Sequence, residues 1–272
     1  MFKDEKKMFQ IKQAIFNYSG RLLERQLYRY IFENDDRENI LKSILAYQNP
    51  DGGFGNGIEP DLTTPESTGI GLETALYYFD CINYLPPNTE KKILSWIVDN
   101  LSEKGTLNYP PAKIELYPYQ AWWKNRDEYR ILAVAALLMK MEVEFPLQLT
   151  TRVEKFADNI SLPVSPEEYD YPLYLFALFN RDYAKREEIL TDFKEKFPVL
   201  NRKNTSRFLL FSRYWSHFHQ LLEPGLLNKE ISRFWDSINE NGLMPGIFPQ
   251  LPWWDSIFTL DGIIAMKKLD LL

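Results

Sequence analysis

Cysteine and histidine are almost absent from this chain of 272 residues. It contains one cysteine, Cys81, and two histidines, His217 and His219. One cysteine cannot form a disulfide within the chain, which excludes the small secreted domains that depend on such bonds. The two histidines stand two positions apart in a predicted helix, so they point to different faces and cannot chelate one ion together. We therefore expect neither a metal nor any other cofactor.

Long apolar runs and blocks of positive charge are also missing. The longest purely apolar run covers residues 131–139, whereas a helix needs about 20 such residues to cross a bilayer. The first seven residues lack the apolar core of a signal peptide. With a net charge of −6 and basic residues interleaved with acidic ones, the chain offers no concentrated positive surface for nucleic acid. These absences predict a soluble cytoplasmic protein with no transmembrane segment and no nucleic-acid partner.

Aromatic residues, in contrast, are plentiful: 18 Phe, 16 Tyr and 7 Trp make up 15% of the chain. A hydrophobic share of 45% is enough for a sizeable core and excludes a disordered chain. The aromatic residues either thicken that core or line an apolar cavity. No Gly-, Ser- or Pro-rich linker divides the sequence, so we expect one domain over residues 1–272.

The spacing of apolar residues predicts helices throughout and no strand. The segment from Phe9 to Phe32 has helical spacing, and Asp36 to Tyr47 repeats it. The next helix is predicted over Pro65–Tyr84, with Thr64 as its N-cap. Further helices are expected at about 89–102, 126–142, 146–160, 166–180, 183–197, 205–222, 227–239 and 254–270. Short connections between helices of this length predict antiparallel hairpins.

One short stretch between two of these helices has an unusual composition. Residues 48–55 read Gln-Asn-Pro-Asp-Gly-Gly-Phe-Gly, and the glycines permit positive φ angles and a tight path. Asp51 is suited to bond its own downstream backbone, and it is also a candidate ligand contact. Phe54 is expected to pack back between helices. The stretch therefore predicts a corner that joins one helix to the next.

This glycine corner recurs in weaker form. Ile97–Leu107 is a degenerate copy of the motif, in which Gly105 occupies the position of Gly52. A third copy is expected within Phe234–Gly246, around Gly242. A repeat of roughly 50 residues is typical of arrays or closed rings of helical units.

The corner resembles the repeats of one protein superfamily. Gln48-x-x-x-Gly52-x-Phe54 resembles the glutamine–tryptophan repeat of squalene and oxidosqualene cyclases, with Phe in place of Trp. Residues 51–55 are similar to the repeat of protein-prenyltransferase β subunits, and residues 56–61 resemble uncharacterised bacterial members of the same terpene-cyclase and prenyltransferase superfamily. The resemblance implies an all-α fold, an α/α toroid in which a ring of antiparallel helical hairpins surrounds an apolar central cavity. It also implies a site at the cavity mouth, where the corner loops gather.

The chemical signatures of that superfamily are incomplete here. Squalene-hopene-type cyclases use a DxDD motif, and the nearest string is Glu33-Asn34-Asp35-Asp36, whose acids also suit the first turn of a helix. Zinc-dependent prenyltransferases need an Asp-x-Cys pair and a distant histidine, but Asp80 is adjacent to Cys81. No GxSxG elbow, P-loop, Rossmann glycine pattern or HExxH motif is present. The resemblance therefore predicts a fold and leaves the reaction open.

The loop after the first corner holds the main candidates for catalysis. Glu59, Asp61 and Glu66 lie within eight positions, ahead of a helix N-terminus. Two carboxyl groups in an apolar cavity repel each other, so one holds its proton at a raised pKa and can donate it. The same acids are also suited to accept hydrogen bonds from backbone N–H groups at helix ends. Both interpretations stay open.

Two tryptophan pairs are candidates for ligand contact. Trp253 and Trp254 precede Asp255, a further candidate catalytic acid, and Trp122 and Trp123 form a comparable element. Aromatic faces beside acids suit a polyisoprenoid carbocation or a sugar ring. If buried, the same rings only fill hairpin corners.

Three functions are compatible with these features. The first is a terpenoid-cyclase- or prenyltransferase-like protein that starts acid chemistry on an isoprenoid or other apolar substrate in a central cavity. The second is a carbohydrate-active enzyme on the same toroid, with opposed carboxyl groups about 5–10 Å apart, such as Glu59 or Asp61 facing Asp255. The third is a non-catalytic binder or scaffold that kept the toroid. The expected ligand is an apolar small molecule or a sugar.

Overall fold

The computed structural model describes residues 5–125, 127–164, 166, 169–197, 213–246 and 250–272. Across these residues the regular structure is helical, with short 3-10 and π turns and isolated bridges but no β-strand, which confirms the all-α class. The α-helices are α1 (Glu5–Ala14), α2 (Leu22–Glu33), α3 (Arg37–Leu45), α4 (Gly69–Cys81), α5 (Pro87–Asn100), α6 (Arg130–Lys140), α7 (Leu147–Asp158), α8 (Tyr171–Phe179), α9 (Arg186–Lys196), α10 (Pro224–Ser237) and α11 (Trp253–Lys268). None of these described helices is long and apolar enough to cross a membrane.

The chain divides into two compact units. A central unit comprises residues 44–197, and a terminal unit comprises residues 1–43 together with 198–272. The boundary between them falls within α3. A closed ring of hairpins and a single domain over residues 1–272 stay predictions.

In the central unit, buried helices alternate with amphipathic ones. Every residue of α4 is buried, and α6 and α8 are buried over most of their length. The helices that follow them, α5, α7 and α9, bury only one stripe each. A helix that is apolar on all sides is buried in the core, whereas an amphipathic helix packs its one apolar face against such a helix. Because α6 packs against both α4 and α8, these three helices form an inner layer.

The three inner helices run parallel to one another. Side chains near their first turns meet at one end of the layer: Glu73, Arg130 and Tyr171. Side chains near their last turns meet at the other end: Asp80, Lys140 and Phe179. Because the inner helices are parallel, each outer helix between them must run in the opposite direction to bring the chain back. This agrees with the predicted antiparallel hairpins.

In the terminal unit, α11 is the helix with the most buried surface. It lies so close to α10 that a Cβ at Gly262 would stand 2.0 Å from the ring of Phe234. Asp261 of α11 forms a buried ion pair with Arg213 at 3.1 Å. Since α10 buries only one stripe, α10 and α11 repeat the pairing of an outer with an inner helix.

The predicted helix over residues 9–32 is interrupted. α1 ends at Ala14 and continues as a π turn over Ile15–Ser19. Gly20 then leaves the helical path at ψ 127°, and its N–H donates to Ile15 O at 3.1 Å. A Cβ at Gly20 would lie 2.3 Å from that oxygen, so the break needs glycine.

Two further helices differ from the prediction. The N-cap of α4 is Thr68, whose Oγ1 accepts from Gly71 N–H at 3.0 Å, and not Thr64. Pro65 stays outside the helix because Asn49 Nδ2 donates to its carbonyl oxygen at 2.8 Å. The predicted helix 205–222 lies partly outside the described residues, and its described end is a 3-10 helix, Trp215–Leu221.

The three glycine corners share one backbone geometry. In the first, Asn49 N–H donates to Gly53 O and Gly52 N–H donates to Asn49 O. The same two bonds recur in the other copies: Ser102 N–H to Thr106 O with Gly105 N–H to Ser102 O, and Asn239 N–H to Leu243 O with Gly242 N–H to Asn239 O. Gly52, Gly105 and Gly242 have φ angles of 96°, 81° and 81°. The repeat predicted from the sequence is confirmed.

Each corner glycine also lies against the backbone of another helix. A Cβ would stand 2.3 Å from Lys92 O of α5 at Gly52, 2.5 Å from Arg152 O of α7 at Gly105, and 2.5 Å from Gln10 C of α1 at Gly242. Glycine is required both for the φ angle and for this close approach. The corners therefore set the spacing between helices within each unit.

Replacement of Gly52 by alanine should lower the free energy of unfolding by about 1–3 kcal/mol through the left-handed backbone alone. The clash with Lys92 adds to that loss. Gly225→Ala in the first turn of α10 is the control, because nothing lies within 4 Å of a Cβ there. Alanine favours a helix by up to about 1 kcal/mol, so Gly225→Ala should not destabilise. Urea denaturation measures both variants, and equal stability of the two would contradict a special role for the corner.

Candidate functional site

The three acids of the loop before α4 are all engaged in hydrogen bonds. Glu59 is buried, and its Oε2 accepts from Thr74 Oγ1 at 2.9 Å. Asp61 is 5% exposed, and its Oδ1 accepts from the indole N–H of Trp123 at 2.8 Å. Glu66 lies nearer the surface and accepts a backbone N–H at 2.7 Å. Glu66 thus accepts a backbone N–H, as the capping interpretation predicts, whereas the donors to Glu59 and Asp61 are side chains.

A strap, defined here as residues 109–125 between α5 and α6, covers this loop. Gln120 N–H donates to Asp61 O at 3.0 Å, and Thr63 donates to Pro118 O through both its N–H and its Oγ1. Glu66 takes its hydrogen bond from Lys113 N–H, which also belongs to the strap. The strap and the loop share a small apolar cluster: Leu62, Ile70 and Ile114, with Tyr109, Tyr119 and Trp123 packed against it. Asp61 and Glu66, two of the predicted acids, are thus joined to the strap that carries Trp123.

The two tryptophans of the strap have different surroundings. Trp123 packs against the apolar cluster and donates to Asp61, so it fills a corner as the structural alternative predicts. Trp122 is 39% exposed. Tyr109 OH donates to Trp123 O at 2.7 Å. Burial raises the pKa of Tyr109, and the charge of Asp127 raises it further.

Asp51 connects the corner to the same loop. Its Oδ1 accepts from Gly53 N–H at 3.0 Å, as expected for a turn-forming aspartate, and from Ser67 Oγ at 2.7 Å. Asn49 Nδ2 also donates to Ser67 Oγ, at 2.9 Å. These bonds give Asp51 a structural role, and its contact with a ligand stays a prediction.

A buried charge network was missed from the sequence. Arg130 Nη1 donates to Glu73 Oε2 at 2.7 Å and to Tyr171 OH at 2.5 Å, and Tyr171 OH donates to Glu73 Oε1 at 2.6 Å. Arg130 Nε donates to Asp127 Oδ2 at 3.0 Å. The available signals were a lone acid in the apolar segment 69–79 and a lone arginine directly before the apolar run 131–139. The network joins the first turns of α4, α6 and α8.

Its neighbours keep Arg130 charged. Burial alone lowers the pKa of Arg130, but the charges of Asp127 and Glu73 raise it well above the ordinary arginine value. Burial also raises the pKa of Tyr171, as does Glu73, which accepts its proton in a hydrogen bond. Arg130 is therefore a cation and Tyr171 a neutral donor over the physiological pH range.

The second tryptophan pair lies in the terminal unit, at the start of α11. Trp253 and Trp254 are both half-buried, and Trp254 stacks on Phe258 with 5.1 Å between ring centroids. Asp255 Oδ1 accepts from Gly246 N–H at 2.6 Å. Burial raises the pKa of Asp255 above its ordinary value, against the opposing effect of that hydrogen bond. The pairing of Asp255 with Glu59 or Asp61 stays a prediction, since these acids belong to the other unit.

Other polar residues from the sequence have structural surroundings. Asp36 Oδ1 accepts from Glu38 N–H at 2.9 Å at the start of α3, which supports helix capping. Cys81 is buried, and its neighbour Asp80 pairs with Lys140. Among the described residues, no three His, Cys, Asp or Glu side chains are grouped in a way that could hold a metal ion.

Arg130→Met should destabilise the protein by about 3–5 kcal/mol, because it leaves Glu73 buried without its cation. Chemical denaturation measures the loss. The double variant Glu73→Leu/Arg130→Met also removes the buried carboxyl group of Glu73 and should recover the part of the loss that comes from leaving it unpaired, while Asp127 lacks its cation in both variants. If the double variant is as unstable as Arg130→Met, the loss does not come from an unpaired Glu73.

The stability contributed by Asp255 should depend on pH. A pKa raised in the folded state favours folding below the unfolded value of about 3.9, and this contribution is lost as the pH rises through the folded pKa. Asp255→Asn keeps an oxygen for Gly246 N–H and removes the buried charge. Denaturation at several pH values should therefore show Asp255→Asn more stable than wild type at neutral pH, with the difference vanishing in acid. If the stability difference between Asp255→Asn and wild type grew as the pH fell, this result would contradict a raised pKa of Asp255 in the folded state.

Comparison with known proteins gives no match to this chain among family models, curated proteins or solved structures. The kinship with terpenoid cyclases and protein prenyltransferases stays an expectation from the corner motif. Any functional assignment rests on the chemistry of the residues themselves.

Proposed function

We propose that this chain performs acid-initiated chemistry on an isoprenoid or another apolar substrate, in the manner of a terpenoid cyclase, with Asp255 as the proton donor. The observation that carries the proposal is a half-buried carboxyl group directly after two half-buried tryptophans, at the start of the most buried helix of the terminal unit. The apolar cavity expected from the family resemblance is part of the same proposal.

Asp255 has the chemical features of a proton donor. An acid catalyst works best when its pKa lies close to the working pH, and burial moves Asp255 in that direction. Gly246 N–H occupies Oδ1, while no described residue bonds to Oδ2, so Oδ2 is the oxygen suited to carry the proton. Transfer of that proton to a carbon–carbon double bond leaves a carboxylate and a carbocation. Loss of a proton from the carbocation to a water molecule gives an alkene product, and the hydronium ion formed in that step reprotonates Asp255 after product release.

The neighbouring aromatic rings suit the charge that this step creates. The face of an indole attracts a cation, and the effect is stronger where water is excluded. Trp253 and Trp254 are adjacent to the acid, and Phe258 holds the ring of Trp254 by stacking. These rings would stabilise the cation without acting as nucleophiles.

The acids of the central unit fit a supporting role better. Glu59, Asp61 and Glu66 accept hydrogen bonds from Thr74 Oγ1, Trp123 Nε1 and Lys113 N–H. Two buried carboxyl groups held in this way do not form the open, opposed pair that glycoside hydrolysis needs. The carbohydrate alternative therefore has less support than the cyclase-like one.

A non-catalytic binder is the second candidate. It is favoured by the same hydrogen bonds, because three of the four candidate catalytic acids serve to connect segments of the chain. In this alternative Trp253 and Trp254 contact the ligand and Asp255 has no chemical role.

Mass spectrometry of apolar molecules extracted from the purified protein separates these candidates. The samples are wild type, Asp255→Asn and the control Asp236→Asn, which changes an exposed aspartate of α10. If Asp255 is the acid, wild type and Asp236→Asn carry product, Asp255→Asn carries unreacted substrate, and turnover falls by at least about 100-fold. The same molecule in all three samples indicates a binder. Absence of any apolar molecule from all three would refute the proposal.

A further inference from the structure

The strap is weakly attached compared with the helices around it. Ile114 is its one buried residue between Pro111 and Asn125. Its regular structure consists of two short 3-10 helices, Ile114–Leu116 and Ala121–Lys124. Segments with few buried apolar contacts open at a lower free-energy cost than packed helices. The strap therefore meets the physical condition for local opening.

Both flanks of the strap are fixed. Asn108 N–H donates to Asn100 O at the end of α5. After the strap, both carboxyl oxygens of Asp127 accept hydrogen bonds from Arg130 Nε, at 3.2 and 3.0 Å. Both ends of the strap are therefore anchored, and the segment between them is the part that can open.

The bonds that close the strap are made mainly with the loop before α4, which holds Asp61 and Glu66. Asp61 accepts from Gln120 N–H and from Trp123 Nε1, and Glu66 accepts from Lys113 N–H. The strap residues Gln120 and Trp123 thus bond both the main chain and the side chain of Asp61. Opening would break these bonds together and expose the carboxyl group of Asp61, which is 5% exposed in the closed structure.

We infer that residues 109–125 form a lid that opens as a unit and uncovers the carboxyl group of Asp61. The lid is independent of the proposed reaction, which uses Asp255. Trp123 acts as the latch, because its indole N–H holds the buried carboxyl group of Asp61.

Carboxyl labelling tests the latch. Carbodiimide-activated coupling of glycine ethyl ester, followed by peptide mass spectrometry, reports how often Asp61 becomes accessible. Trp123→Phe should raise the labelling rate of Asp61 about tenfold, the change expected for loss of one hydrogen bond to a charged group. The control Trp235→Phe, in α10, should leave it unchanged. An unchanged rate in Trp123→Phe would overturn the latch.

A reversible cross-link tests the lid itself. Leu62 and Tyr119 stand opposite each other in an antiparallel bridge, flanked by the bonds Thr63 N–H to Pro118 O and Gln120 N–H to Asp61 O. Such a pair has its Cα atoms about 4.5 Å apart, which suits a disulfide. In the oxidised variant Leu62→Cys/Tyr119→Cys, the disulfide holds the lid closed. The carboxyl group of Asp61 should then be labelled far more slowly than in the same variant after reduction.

Hydrogen exchange of the wild type provides the final test. The amides of Lys113 and Gln120 should exchange faster than those of α4 and α6. Exchange at the same slow rate as these helices, or equal labelling of Asp61 in the oxidised and reduced double variant, would overturn the lid.

Discussion

The guanidinium of Arg130 holds together the first turns of three buried helices, and the arrangement of the central unit depends on it. Its Nη1 joins α4 to α8 through Glu73 and Tyr171, while its Nε fixes Asp127. A buried charge is tolerated only when partners replace the water it has lost, and here the partners come from three separate parts of the chain. Gly69 makes room for this, because a Cβ there would stand 3.0 Å from Arg130 Cγ.

The contact between Arg130 and Asp127 also links the inner helices to the strap that covers the loop before α4. Asp127 lies just after the strap, so the position of Arg130 sets where the strap returns to the helical layer. At the other end of the strap, burial raises the pKa of Tyr109, the charges of Asp127 and Asp61 raise it further, and the charge of Arg130 opposes them. The charge of Arg130 therefore acts both on the packing of the inner helices and on the two ends of the strap that covers Asp61.

The sequence predicted those features that depend on local chemistry. Gly52, Gly105 and Gly242 were identifiable because a positive φ angle and a tight turn leave few alternatives to glycine. The helices were visible from apolar spacing, but the start of α4 was not, since Asn49 holds Pro65 outside the helix from a distant position. The partners of Glu73 and Asp61 lie 57 and 62 positions away, and local periodicity carries no information about them. Likewise, adjacent Trp122 and Trp123 look alike in sequence, and only tertiary packing distinguishes them.

The glycine corners have a consequence for how this chain can change in length. Each corner glycine touches one particular carbonyl group or backbone carbon of another helix. One inserted residue in α5 ahead of Lys92 would turn Lys92 by about 100° around the helix axis and carry its carbonyl group away from Gly52. Insertions and deletions should therefore be tolerated less well inside the helices than in the connections between them. The helices of each unit thus keep a constant register.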